Sequence, residues 1–143
     1  MPKPSTPPSE QTLFMTTPGA HSPESLTRTA AFAALYHPFE WPETELAQSW
    51  MVEIDRDGDI EALVWFTTVY DDIIECHAVA HPDARGRWLK RDVYATISNT
   101  IQEVVKPSHV ICQIHSNHIA HIWTRLGFQV YPHVAILDLK DLK

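Results

Sequence analysis

Residues 73–114 read IIECHAVAHPDARGRWLKRDVYATISNTIQEVVKPSHVICQI, and this stretch decides the architecture. Its opening segment, Ile73–Ala80, alternates: Ile73, Glu75, His77 and Val79 fall on one face, Ile74, Cys76, Ala78 and Ala80 on the other. Side chains of a strand point to opposite faces with a period of two, so this is a strand with two different surroundings. From Trp88 to Val105 the period changes. Leu89, Val93, Ile97 and Ile101 recur every four residues and Val104 continues the stripe, which predicts the longest helix of the chain. Lys106–Pro107 ends it, because proline cannot continue a helix. Val110–Ile114 is then an apolar strand, expected to be central and parallel to Ile73–Ala80. Strand, helix and parallel strand make one crossover, expected to be right-handed.

Upstream, Trp50–Ile54 and Ile60–Tyr70 are strand-like. Asp57–Gly58 between them signals a hairpin, because both residues tolerate the positive φ of a tight turn. Asp71–Asp72 makes a second turn. Ser22–Pro23–Glu24 reads as a helix start, and Leu26, Ala30, Ala33 and Ala34 give that helix an apolar stripe ending before Pro38. Gln11–Thr16 is a short strand, and Pro42–Gln48 a short helix. Downstream, a helix over His118–Arg125 is expected to stop at Gly127, followed by strands at Gln129–Tyr131 and Val134–Leu139. Residues 11–143 therefore read as a single α/β domain with a mixed sheet flanked by helices. Residues 1–10, with Pro2, Pro4, Pro7 and Pro8, cannot build a core and read as a flexible tail, or as an arm that orders on a neighbouring subunit.

The length of 143 residues suits one domain with a real core. A net charge of −7, with no long basic run, argues against nucleic acid and anionic membranes as partners. No apolar run approaches the roughly 20 residues of a membrane span, and no signal pattern opens the chain, so a cytoplasmic protein is expected. Cys76 and Cys112 lack metal-type spacing and read as reduced, buried thiols. His115, His118 and His121 recur every three residues, but no cysteine or carboxylate lies close by to complete a metal site, and none is assigned. Asp55, Asp57 and Asp59 are explained by the hairpin, since Ile60 stands where a calcium loop needs glycine. Trp41, Trp50 and Trp65 read as core or interface anchors.

Three motifs in order carry a resemblance. They are Ala80–His81–Pro82–Asp83–Ala84–Arg85–Gly86–Arg87, then Ile111–Cys112–Gln113–Ile114–His115–Ser116–Asn117, then Ala120 to Arg125–Leu126–Gly127–Phe128. They resemble the end of the central strand with its pyrophosphate loop, the strand ending in Asn, and the closing helix with its Gly–Phe stop of the GNAT acyltransferase superfamily. The resemblance covers nearly the whole chain after the tail. It implies a GNAT-like fold whose two parallel strands splay at their carboxyl ends to take the pantetheine arm of acetyl-CoA. The strands implied here are Ile73–Ala80 and Val110–Ile114. The cofactor-binding positions it implies are Val79, Ala80, Arg85, Gly86, Arg87, Trp88, Leu89, Lys90 and Asn117. Helix N-terminal amides supply the anion site, with Arg85, Arg87 and Lys90 adding charge.

The chain departs from the family pattern in two places. Trp88 and Lys90 stand where the loop has small residues, which let phosphate approach bare backbone. Trp88 pointing into the core would leave its N–H free for phosphate. Trp123 stands where active members carry a Tyr that protonates the departing thiolate, and an indole is no useful acid. Glu75 lies near the family's carboxylate base, with His77 on the same face; these two are the candidate catalytic residues, or else a hydrogen-bonded surface pair. Two readings remain open. One is an N-acetyltransferase acting on the amine of a small molecule or protein. The other is a scaffold without turnover, with a structural or interaction role, resembling short bacteriophage-type members, some of them virion-associated, and using the Pro-rich arm for homo-oligomer or virion packing.

Overall fold

A computed structural model of the chain describes residues 11–36, 42–70, 72–113, 123–125, 127, 129–130 and 134–139. Its strands are β1 (Gln11–Thr16), β2 (Trp50–Arg56), β3 (Asp59–Tyr70), β4 (Ile73–Ala80), β5 (His109–Gln113), β6 (Gln129–Val130) and β7 (Val134–Asp138). They form one seven-stranded sheet in the order β1-β2-β3-β4-β5-β7-β6. The β4–β5 pair is parallel and every other pair is antiparallel. The mixed sheet and the crossover between β4 and β5 are as the sequence predicts. Asp57 and Gly58 turn the first hairpin with φ of 55° and 85°, the paired positive values of a two-residue turn that suits strand twist.

Among the described residues, the helices α1 (Pro23–Tyr36), α2 (Pro42–Ala47) and α3 (Arg91–Asn99) flank the sheet. The Ser25 N–H donates to Ser22 Oγ at 3.2 Å, so the predicted cap forms. The long helix differs from its expected span at both ends. It begins at Arg91 rather than Trp88, because residues 82–88 close a 3₁₀ turn and a further turn on Ala84 first. Beyond Asn99 the coil widens into a π-helical segment, Thr100–Val105, closed by a bond of 2.9 Å from Lys106 N–H to the Ile101 carbonyl. The widening shifts the phase of the apolar stripe. Ile101 is buried and Val105 packs on the core, while Val104, expected on the stripe, is exposed.

The two faces of β4 lead into two cores. Ile74, Cys76 and Ala80 pack with Val93, Ile97, Ile101, Trp88 and Trp123 on the α3 side. Val79 packs with Leu63, Trp65, Met51, Ala30, Ala33 and Leu46 on the α1–α2 side. This division explains the alternation of Ile73–Ala80: each parity of the strand serves a separate layer. Trp65, Trp88 and Trp123 are among the largest fully buried side chains. Removing such a ring costs its transfer free energy plus a cavity. Trp88→Ala is expected to lose about 3–5 kcal/mol of stability in urea unfolding.

An ionic cluster ties α1 to β2. Arg28 reaches Glu53 at 2.6 Å and Asp55 at 3.3 Å, and also donates to the Gly58 carbonyl. Burial, followed by the neighbouring Asp55, pushes the Glu53 carboxyl from 4.5 up to about 7. The Arg28 guanidinium pulls the other way, but its side chain is 42% exposed against 7% for Glu53, so solvent weakens that pull. A carboxyl whose folded value is raised holds its proton longer in the native state. Its contribution is full below pH 4.5 and is lost as the pH rises towards about 7. Unfolding free energy is therefore expected to decline across that window, and Glu53→Gln should flatten the decline.

Candidate functional site

The strand β4 is paired unequally on its two sides. Its ladder with β3 runs from Ile73 to Ala80. Its ladder with β5 covers only Ile73–Glu75 against His109–Ile111. Beyond that point β5 stays paired with β7 through Cys112 and Gln113, so each strand keeps its outer neighbour while the two part from one another. From Cys76 onward, alternate residues of β4 direct their N–H and C=O groups away from β3 into the opening. The parallel pair is thus splayed at its carboxyl end. Cys76 and Cys112 flank the vertex, both buried and free. Burial, together with the Cys76 thiol beside it, pushes the Cys112 thiol well up, which keeps it protonated and inert.

On the α3 side, Trp88 and Trp123 are each 1% exposed and share a core cluster with Cys76, Ala80 and Cys112. Indoles therefore sit in the core on that face of the sheet. The opposite face carries Glu75 and His77, which project towards α1 and α2. Glu75 Oε1 lies 2.7 Å from His77 Nε2, an ion-pair distance, although the ring N–H axis does not point straight at the carboxylate. His77 stacks on Trp65, with ring centroids 5.1 Å apart and planes at 21°. The sequence-predicted catalytic pair is thus brought together at the edge of the splay.

The loop after β4 departs from the expected amide cradle. His81 accepts from the Asp83 N–H at 3.1 Å and opens the 3₁₀ turn Pro82–Ala84. The N–H groups of Arg85, Arg87, Trp88 and Lys90 then bond to the carbonyls of Pro82, Ala84, Ala84 and Trp88 respectively. Trp88 does turn into the core, yet its N–H is not free: it bonds to Ala84 at 3.1 Å, because Gly86, at φ 79°, folds the chain back on itself. Leu89 is buried as well, so the side chains of Trp88 and Leu89 face the core and away from any ligand. Arg85, Arg87 and Lys90 are exposed, and the Arg87 guanidinium donates to the Asp83 carbonyl. Lys90 caps α3, whose first-turn amides, from Arg91 to Val93, have no intrahelical partner. Asn117 lies outside the described residues, as do His115, His118, His121 and Trp41.

Residues that sequence reasoning passed over also hold this loop. Gln11 donates to Glu61 at 2.8 Å and to the Trp88 carbonyl at 3.0 Å, tying the first strand to the loop. Arg125 donates to the Leu89 carbonyl at 3.1 Å. Between the β2–β3 hairpin and the loop lies a cleft of about 1070 Å³, lined among others by Arg56, Arg87, Lys90, Arg91 and Arg125. Arg56 is engaged by Glu61 at 3.1 Å. Neither placement is marked in the sequence: Arg56 lines the cleft from β2, and Arg125, although part of the closing motif, reaches the Leu89 carbonyl only through the tertiary fold. Among the described residues no group of three or more His, Cys, Asp or Glu could hold a metal ion, and no helix is long and apolar enough to cross a membrane.

An amide-lined splay can take the pantetheine arm of acetyl-CoA. Its phosphates would fall to the first turn of α3 and to Arg85, Arg87 and Lys90, since the amides of the preceding turns are engaged internally. No protein-family profile and no curated protein matches the chain. Solved structures do. A GNAT-family acetyltransferase from Streptococcus pneumoniae matches with a TM-score of 0.68 at 10% identity, covering 90% of this chain and 99% of its own. An acyl-CoA N-acyltransferase from Pseudomonas aeruginosa matches with a TM-score of 0.67 at 12% identity, covering 89% and 99%. The N-acetyltransferase PseH from Campylobacter jejuni, in complex with acetyl coenzyme A, matches with a TM-score of 0.57 at 12% identity, covering 89% and 99%. The splayed mixed sheet of this chain is the fold of the GNAT acetyltransferases.

Proposed function

We propose that this chain is an N-acetyltransferase that moves an acetyl group from acetyl-CoA to the amine of a small molecule or a protein. The observation that carries the reading is the ladder between β4 and β5, which stops after Glu75 and Ile111 while both strands stay paired outward. The fold it shares with an acetyltransferase solved with acetyl coenzyme A supports it. Bound acetyl-CoA supplies an activated thioester. The main chain of Val79 and Ala80 holds the pantetheine amides. The loop from Arg85 through Gly86, Arg87, Trp88 and Leu89 to Lys90, with Asn117, holds the rest, chiefly through the side chains of Arg85, Arg87 and Lys90, since the main chain of Trp88 is already bonded. Glu75 accepts the proton of the attacking amine and His77 keeps the carboxylate oriented. The new bond joins amine nitrogen to acyl carbon as the carbon–sulfur bond breaks. With Trp123 in place of an acid, no described side chain is assigned to protonate the departing sulfur.

A second reading is a binding or interaction protein on the same fold, without turnover. Two observations favour it: the loop amides of Arg85, Arg87, Trp88 and Lys90 are used internally, and Trp123 is buried in the core. Its bacteriophage form, with a virion role for the arm, draws no support from the bacterial acetyltransferases named above, and residues 1–10 lie outside those described.

Ligand stabilisation separates the two. At about 100 times its dissociation constant, acetyl-CoA adds ~2.7 kcal/mol to stability, which for a domain of this size raises Tm by roughly 5–10 °C. Arg85→Ala should diminish the rise. No shift at millimolar acetyl-CoA selects the second reading. Glu75→Gln should keep the shift but lower kcat/KM by about 10²–10⁴-fold, the usual worth of a general base.

A further inference from the structure

The pair Glu75 and His77 sits opposite a second pair on β3. Trp65 lies across from His77, and Thr67 across from Glu75, on the same face of the sheet. Both β3 residues are held in turn by α2 and the turn that follows it. Trp65 Nε1 donates to Glu45 Oε2 at 3.0 Å. Thr67 Oγ1 lies 2.8 Å from Ser49 Oγ, and Ser49 Oγ donates to the Glu45 carbonyl at 2.7 Å. Ser49 has one hydroxyl proton and spends it on Glu45, so Thr67 is the donor between them and its proton points away from Glu75. His21 Nε2 closes the shell against the Ser49 carbonyl at 3.0 Å.

The geometry points to Trp65 and Glu45 as positioning residues that hold His77 against Glu75. The inference rests on the acetyltransfer reading, in which the Glu75 carboxylate takes the proton of the amine. Trp65 is fully buried, so its plane is set by packing and by the one donor it owns. The Glu45 carboxylate fixes the indole N–H, the indole face fixes the imidazole by near-parallel stacking, and the imidazole so placed lies 2.7 Å from the carboxylate of Glu75. The buried indole N–H needs an acceptor, and an apolar residue in place of Glu45 would remove it and free the ring to tilt.

The test uses the full chain, with nitrogen-15 NMR of the His77 ring and steady-state kinetics side by side. The ring nitrogens of a held imidazole give one tautomer signature, and those of a loose one give an average. Glu45→Leu is expected to convert the first into the second and to lower kcat roughly tenfold, the effect of about 1.4 kcal/mol, with KM for acetyl-CoA changed by less than about twofold. Glu45→Gln, whose amide oxygen still accepts from the indole, should recover both. Trp65→Phe, which keeps a ring but removes the donor, should show the loosened signature if Glu45→Leu does not fold. A signature that stays single in folded Glu45→Leu and in Trp65→Phe overturns the inference. A signature that depends on Glu45 in a protein that never turns over acetyl-CoA supports the positioning and removes the acetyltransfer reading. Turnover with a signature indifferent to Glu45 does the opposite.

Discussion

Everything in this molecule follows from the unequal pairing of β4. Backbone groups buried without partners cost free energy, so a central strand ordinarily bonds to both neighbours along its length. β4 does so with β3 as far as Ala80 but leaves β5 after Glu75. What keeps the parted edges apart is that each is held from outside, β4 by β3 and β5 by β7. The opening is therefore a property of the whole sheet and not of either strand. The two faces of the sheet give β4 an apolar core with Trp88 and Trp123 on the α3 side and a polar shelf on the α1–α2 side.

The two sides use different physics. On the α3 side, Trp88 and Trp123 add apolar burial at positions where the sequence resemblance leads one to expect a small residue and an acid. The loop carrying Trp88 compensates by closing its amides on its own carbonyls, with Gln11 and Arg125 taking up the Trp88 and Leu89 carbonyls. Such a loop spends its amides on itself, so attraction for an anion would rest on the first turn of α3 and on exposed cationic side chains. On the other side, Glu45, Ser49, Thr67, Trp65, His77 and Glu75 form a connected polar layer over buried apolar residues. Polar groups set this deep persist only when linked to one another.

Two bulges decide which residues meet. Tyr70 pairs with Ile73 across the second turn, and without a break that register would set Trp65 opposite Ala78. The irregularity between Thr68 and Tyr70 shifts the ladder by one, so Trp65 meets His77 and Thr67 meets Glu75. A second shift between Ile54 and Asp55 leaves Glu61 as the extra residue of β3, and Glu61 is the carboxylate that engages Arg56 and Gln11 beside the loop. A one-residue slip exchanges the faces of a strand, so both contacts depend on these shifts.

Local periodicity determined much of this from the sequence alone. The alternation of Ile73–Ala80, the four-residue spacing from Leu89 to Ile101 and the Asp57–Gly58 turn each report a period or a φ preference that needs no partner to be expressed. Glu75 and His77 could be paired in advance for the same reason, being two residues apart on one strand. The tertiary structure alone decided where α3 begins, since the turn closing on Ala84 competes with the helix for Arg87 and Trp88. It alone placed Glu45 on Trp65, Trp65 on His77 and Gln11 on Trp88, contacts that span from 12 to 77 residues of chain. Register, bulges and splay arise from how strands distant in sequence meet, and no single segment carries that information.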